Sequence, residues 1–258
     1  MKRTLAALTG ILGLSAAALG QVSISAPGQI YSQNFDTLAS TGTTSLTWAN
    51  NSTLQGWSLF NSANAAITTY TPGNGSSNTG AFYSFGSSGS SERALGGVGS
   101  NNLSGWIALA LSNTSGAALN GFSLSFDGEQ WRNGGNATAQ SMALEYGFGS
   151  SFTGVTWTAP GSDFDWTSPV ATTSAAAVDG NTAGLVANRG GSISSATWAA
   201  GETLWIRWVE TNNTGNDHGL AIDNVSVTAG TAIPEPSTYA MIFGGLTLGL
   251  VALRRYRR

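Results

Sequence analysis

Short runs in which every second residue is apolar dominate the middle of the chain. Phe122, Leu124 and Phe126 alternate with Ser123, Ser125 and Asp127. Met142, Leu144, Tyr146 and Phe148 alternate with Ser141, Ala143 and Glu145, and Leu204, Ile206 and Trp208 with Trp205, Arg207 and Val209. A period of two predicts strands with one buried face. Further strands are expected near 30–38, 56–60, 81–85, 106–111 and 220–227, each bounded by Gly, Asn, Ser or Thr clusters. No segment shows a helical period worth naming. Strand after strand with glycine-rich turns predicts an all-β fold, an antiparallel β-sandwich of jelly-roll type. A parallel β-helix is the alternative, but no fixed-period repeat supports it.

The two ends follow other rules. Lys2 and Arg3 precede a short apolar run, Leu5 to Leu14, and then the small residues Ala16 to Gly20. Residues 1–20 therefore read as a secretory signal peptide, cleaved after Gly20 or Ala18. At the other end Pro234-Glu235-Pro236 is followed by the apolar run Tyr239 to Leu253 and by Arg254, Arg255, Arg257 and Arg258. The run predicts a single transmembrane helix, short by itself but extended by snorkelling arginines that stay cytoplasmic. A plain anchor would explain the helix and the charges but not Pro-Glu-Pro. Residues 231–258 resemble the PEP-CTERM sorting signal in every part. That resemblance implies export across the inner membrane of a Gram-negative bacterium, a transient membrane anchor, and exosortase as a partner. Delivery to the outer surface or extracellular matrix would follow. The expected organisation is 1–20 signal peptide, 21–230 β-sandwich and 231–258 sorting tail, joined by a linker over 229–233.

Composition narrows the chemistry of the body. Six of the ten basic residues sit at the two ends, so 21–236 holds four arginines and no lysine against 13 acids, a balance of −9. Such a body repels phosphate backbones, so no nucleic-acid partner is expected. Without lysine it offers neither a Walker A motif nor a Schiff-base amine. Without cysteine, and with His218 alone, a Cys/His zinc site is excluded and packing must replace disulfides.

Several blocks of the body look familiar: Asn34-Phe35-Asp36, Gly56-Trp57, Glu92 to Gly96, Gly128 to Arg132, and Asp217 to Val225. Together they resemble β-sandwich domains of secreted bacterial surface proteins. The opening Phe-Asp and the closing Ala-Ile-Asp-x-Val also resemble the end strands of MAM-like and carbohydrate-binding jelly rolls. The resemblance implies a fold and no reaction.

Asp127 and Glu129 share a strand face, and in a hairpin Glu145 would join them. Such a carboxylate pair is what a surface glycan hydrolase requires. Asp127-Gly-Glu129 does not match the Glu-x-Asp-x-Glu strand of jelly-roll glucanases, however, and a polar outer face with Glu129 paired to Arg132 or Arg93 explains it better. His218 beside Asp217 lacks a serine on a Gly-x-Ser-x-Gly elbow. Asp36 and Asp223 lie on the first and last strands, where a structural calcium ion is one expectation and turn capping by Asp223 the other. Ile222 and Val225 are three apart, so a bulge or an inward Asp223 is expected. Asp163 with Asp165, or Asp179 with Asn181, would make lesser sites. Of nine tryptophans most must be core, but Trp131, Trp166 and Trp205 are candidates for an exposed platform under sugar rings. The expected function is a non-enzymatic, exported protein with a weak carbohydrate-binding or adhesive role toward extracellular polysaccharide. The alternative is the hydrolase.

Overall fold

A computed structural model describes residues 21–234 except Asn102. Residues 1–20, expected to be a signal peptide, and Glu235, Pro236, the apolar run and the arginine end lie outside the described residues. No helix among the described residues is long and apolar enough to cross a membrane.

The described chain is all-β. In order the strands are β1 (Val22–Ile24), β2 (Ile30–Gln33), β3 (Leu46–Thr47), β4 (Trp57–Asn61), β5 (Thr69–Gly73), β6 (Ala81–Phe85), β7 (Ala94–Val98) and β8 (Gly105–Asn113). Then come β9 (Leu119–Asn133), β10 (Ser141–Phe148), β11 (Trp166–Thr167), β12 (Ala176–Ala177), β13 (Leu185–Trp198), β14 (Thr203–Glu210) and β15 (Gly219–Ala229). They form two sheets. The smaller runs β1-β8-β14-β10-β11 with β4 also on β8; the larger runs β12-β9-β15-β7-β6-β5-β3 with β13 on β9 and β2 on β15.

The period-two pattern builds the interior directly. Ile107, Leu109 and Leu111 on β8 and Leu204, Ile206 and Trp208 on β14 are buried, and pack with Phe122, Leu124 and Phe126 on β9 and with Leu220, Ile222, Val225 and Val227 on β15. Trp208 stacks on Trp57 from β4 at 5.7 Å, and Phe126 meets it edge-on at 5.5 Å. The sheets are therefore joined by aromatic contact as well as aliphatic burial.

Three features differ from the sequence reading. The sheets are not wholly antiparallel, because β1 pairs with β8 and β5 with β6 in parallel. β9 and β10 do not form a hairpin: β10 pairs with β14, so the Gly/Asn-rich loop between them carries the chain from one sheet to the other. Residues 229–233 are not a free linker, since Asn120 N–H donates to Thr231 C=O and Ile233 N–H to Ala118 C=O. The irregularity expected in the last strand is present as a bulge. The β15–β9 register shifts between Asp223 and Ser226, and Asn224 takes a left-handed φ of 49°. That extra residue brings Ile222 and Val225 onto the same buried face.

Candidate functional site

The aromatic platform expected at Trp131, Trp166 and Trp205 does not exist, because all three side chains are buried. Trp131 lies on the outer face of the larger sheet, parallel to Phe85 with centroids 6.3 Å apart, and its indole N–H donates to Glu129 Oε2 at 2.8 Å. Trp166 lies against Gly128, where any Cβ would collide with the indole. Trp205 packs edge-on against Phe152 at 5.7 Å and donates to Gly149 C=O. A sandwich without disulfides uses its large rings for packing on both sides of each sheet, which is why counting tryptophans did not locate a surface.

Two half-buried tryptophans do reach the outside of the smaller sheet. Arg207 lies between Trp106 and Trp157, its guanidinium carbon 4.7 Å and 4.1 Å from the ring centroids. Its head is held by Glu145 at 2.6 Å. Glu145 is thus committed to an ion pair in the other sheet and does not join Asp127 and Glu129. Asp127 accepts from Asn188 N–H and from the Asn224 side chain. Of the three carboxylates considered for hydrolysis, Glu145 is therefore separated from Asp127 and Glu129, which stay together on β9.

A different acidic group forms on the outer face of the larger sheet. Glu129 lies on β9, Asp223 on the neighbouring β15, and Glu92 two residues before β7, the next strand of the sheet. Each contributes a carboxylate oxygen to a group whose atoms lie within 4.8 Å of one another. Burial pushes Glu129 up to about 7, Trp131 opposing and Glu92, Asp127 and Asp179 adding to the shift. Burial pushes Asp223 up to about 8, with the Asn224 backbone opposing and Glu129, Glu92 and Asp36 adding. Asp36 is not one of this group. It is exposed, its Oδ1 accepts Arg93 N–H at 3.0 Å and its Oδ2 accepts the Asn34 amide at 2.7 Å. The pairing of Asp36 with Asp223 is therefore replaced by Glu92–Glu129–Asp223. Glu92 and Glu129 sit in blocks already notable in the sequence, but only the register of β7, β15 and β9 brings them together.

The remaining titratable candidates are structural in their contacts. His218 Nδ1 accepts Gly134 N–H, and Asp217 accepts Asn213 N–H without touching the imidazole. Burial lowers the His218 pKa and raises Asp217 and the fully buried Glu210. Asp165 accepts Leu144 N–H, and Asp179 closes a turn on Asn181 N–H.

A cleft of about 590 Å³ opens where loops 40–45, 73–79 and 86–89 rise around β5 and β6. More than half of its lining residues carry a hydroxyl, among them Ser45, Thr71, Ser77, Thr79 and Tyr83, and none is acidic. Ser45 and Thr71 hydroxyls lie 3.1 Å apart, and Tyr83 O–H donates to Thr79 C=O. The one charge in the wall is Arg93, buried and spent internally: it donates to Ser84 Oγ, Ser84 C=O and Gly73 C=O. The cleft thus offers neutral hydroxyl and amide groups. Sequence reasoning missed it because isolated Ser and Thr in loops look like ordinary turn residues. A second cleft of about 340 Å³ lies between Asn78, Arg132 and Asp217.

No family model and no curated protein matches the chain. Among solved structures it is similar to the CBM22-1 xylan-binding domain from Paenibacillus barcinonensis Xyn10C. That match has 13% identity and a TM-score of 0.38, over 81% of this chain and all of that one. It is also similar to TmCBM61, solved in complex with β-1,4-galactotriose, at 14% identity and TM-score 0.23 over 54% of this chain and 72% of that one. Likeness this loose assigns neither a site nor a ligand.

Proposed function

We propose that the chain is an exported, non-catalytic surface or matrix protein whose sandwich, a jelly roll, binds neutral polysaccharide weakly. The observation that carries this reading is the 590 Å³ hydroxyl-lined cleft, which contains no carboxylate. A glycosidase needs two carboxyl groups flanking the scissile bond. The second cleft holds only Asp217, and the Glu92–Glu129–Asp223 group lines neither cleft. A body at −9 disfavours acidic glycans, whereas uncharged sugars escape that repulsion and match the donors and acceptors of the wall. Removing the hydroxyl pair in Ser45→Ala/Thr71→Val is expected to weaken binding about fivefold to thirtyfold while the melt stays unchanged, for one to two net hydrogen bonds of about 1 kcal/mol each. Equal affinity in the double variant would take the cleft out of the account.

Export and sorting rest on the sequence of the two ends. The Pro234-Glu235-Pro236 motif, the apolar run and the four arginines support recognition by exosortase and release to the surface or matrix. Intact mass of native surface material should show a chain starting near Gln21 and ending near Pro234–Ser237. A dominant form retaining Tyr239–Arg258 would contradict this.

A further inference from the structure

The outer face of the larger sheet holds three carboxylates, none of which forms an ion pair among the described residues. Arg93 is adjacent in sequence to Glu92, yet its guanidinium donates to Ser84 and Gly73. Arg132 NH1 donates to Gly75 and Ser76 carbonyls. Two oxygens of the group are neutralised by dipoles alone: Glu129 Oε2 by the Trp131 indole and Glu92 Oε2 by the Asn181 amide at 2.6 Å. The others are not. Asp223, 3% exposed, keeps a buried Oδ1 with no hydrogen-bond partner, and Glu92 Oε1 is buried and unpartnered as well. A buried acceptor without a donor is costly, and a buried carboxylate more so.

We infer that Glu92, Glu129 and Asp223 form a binding site for a calcium-type divalent cation. Three oxygen donors within 4.8 Å of one another can be spanned by an ion with bonds of about 2.3–2.6 Å. An all-oxygen, multiply charged donor set selects a hard cation over zinc or copper, and the irregular spacing suits calcium better than octahedral magnesium. The ion ties β9, β15 and the entry to β7 across the centre of the larger sheet. Asp223 lies on the outer face with Ala221, opposite Leu220 and Ile222, and the bulge follows directly after it. The neighbouring charged groups are Asp36, Asp127 and Asp179, which add negative potential, and Arg93, whose guanidinium donates to Ser84 and Gly73 but still interacts electrostatically with Glu92 and Asp36.

The test uses the full-length chain at pH 7.5. Calcium at about a hundredfold excess over Kd is expected to raise Tm by about 5–10 °C relative to chelator. Terbium should bind competitively and luminesce on indole excitation, because Trp131 donates directly to Glu129. Glu92→Gln, at a half-buried loop position, and Asp223→Asn should abolish both signals. Asp36→Asn should keep them. Glu92→Gln is the safer variant if Asp223→Asn fails to fold. A melt indifferent to calcium and chelator, with no terbium emission that calcium displaces, would overturn the site and leave shared protons as what holds the carboxylates together. Loss of the signals in Asp36→Asn but not in Glu92→Gln would overturn this donor set.

Discussion

Trp208→Ala is expected to destabilise the sandwich by about 3–5 kcal/mol, the range for deleting a fully buried aromatic side chain. Trp208 is wholly buried, stacks on Trp57 and receives the edge of Phe126. Trp57 is in turn met edge-on by Phe35 at 4.8 Å and donates its indole N–H to Tyr31 Oη. Removing Trp208 therefore opens a void where β14, β4 and β9 meet, in a protein with no disulfide to limit the unfolded state. Its own indole nitrogen is buried without a partner. Trp208→Phe keeps most of the ring contact and removes that unsatisfied donor, so it should cost clearly less than alanine. Urea melts of the two variants check both numbers. A loss below about 1 kcal/mol for alanine would mean that the two sheets do not pack as described.

The second large effect is on pH. In chelator, stability is expected to fall as pH rises from about 4 to about 8. Glu129 and Asp223 titrate near 7 and 8 when folded, above their ordinary ranges, because burial disfavours their charged forms. Below pH 4 both groups are protonated whether the chain is folded or not, and no penalty arises. Between 4 and 8 the unfolded chain ionises while the folded one holds its protons, so stability drops, by a few kcal/mol across the window for the coupled group. Buried Glu210 acts in the same direction. Denaturant melts at pH 4.5, 6 and 8 in chelator check the sign. Stability rising toward pH 8 without metal would show that these carboxylates are ionised and well solvated in the fold.

The strands with one buried face were legible because alternation is a local signal. β6, β10 and β14 lie where Phe82, Leu144 and Ile206 predicted them. β13 escaped because it is an edge strand, mostly exposed on both faces, with Gly190 and Gly191 inside and register shifts on either side of Arg189–Ile193. Without burial there is no alternation to read. β7 escaped for the opposite reason. Its Gly96 packs so closely against Leu220 and Ala221 of β15 that a Cβ has no room, and a glycine at that position reads as a turn. The parity of Trp205 and Trp208 was legible, and each is buried on its own side of β14. Which tryptophans would be exposed was not, since that depends on what covers the outer face of each sheet. The acidic group illustrates the same boundary. Asp223 stood out locally as a break in alternation, but its partners Glu92 and Glu129 are set by strand order, a long-range property.

Binding of neutral polysaccharide by the full-length chain, measured at low and high salt, addresses the functional reading most directly. The cleft predicts saturable binding with Kd between about tens of micromolar and millimolar, or roughly 4–6 kcal/mol, with little change between the two salt concentrations. Failure of every neutral glycan to bind at either salt, or affinity that collapses as salt rises, would contradict it.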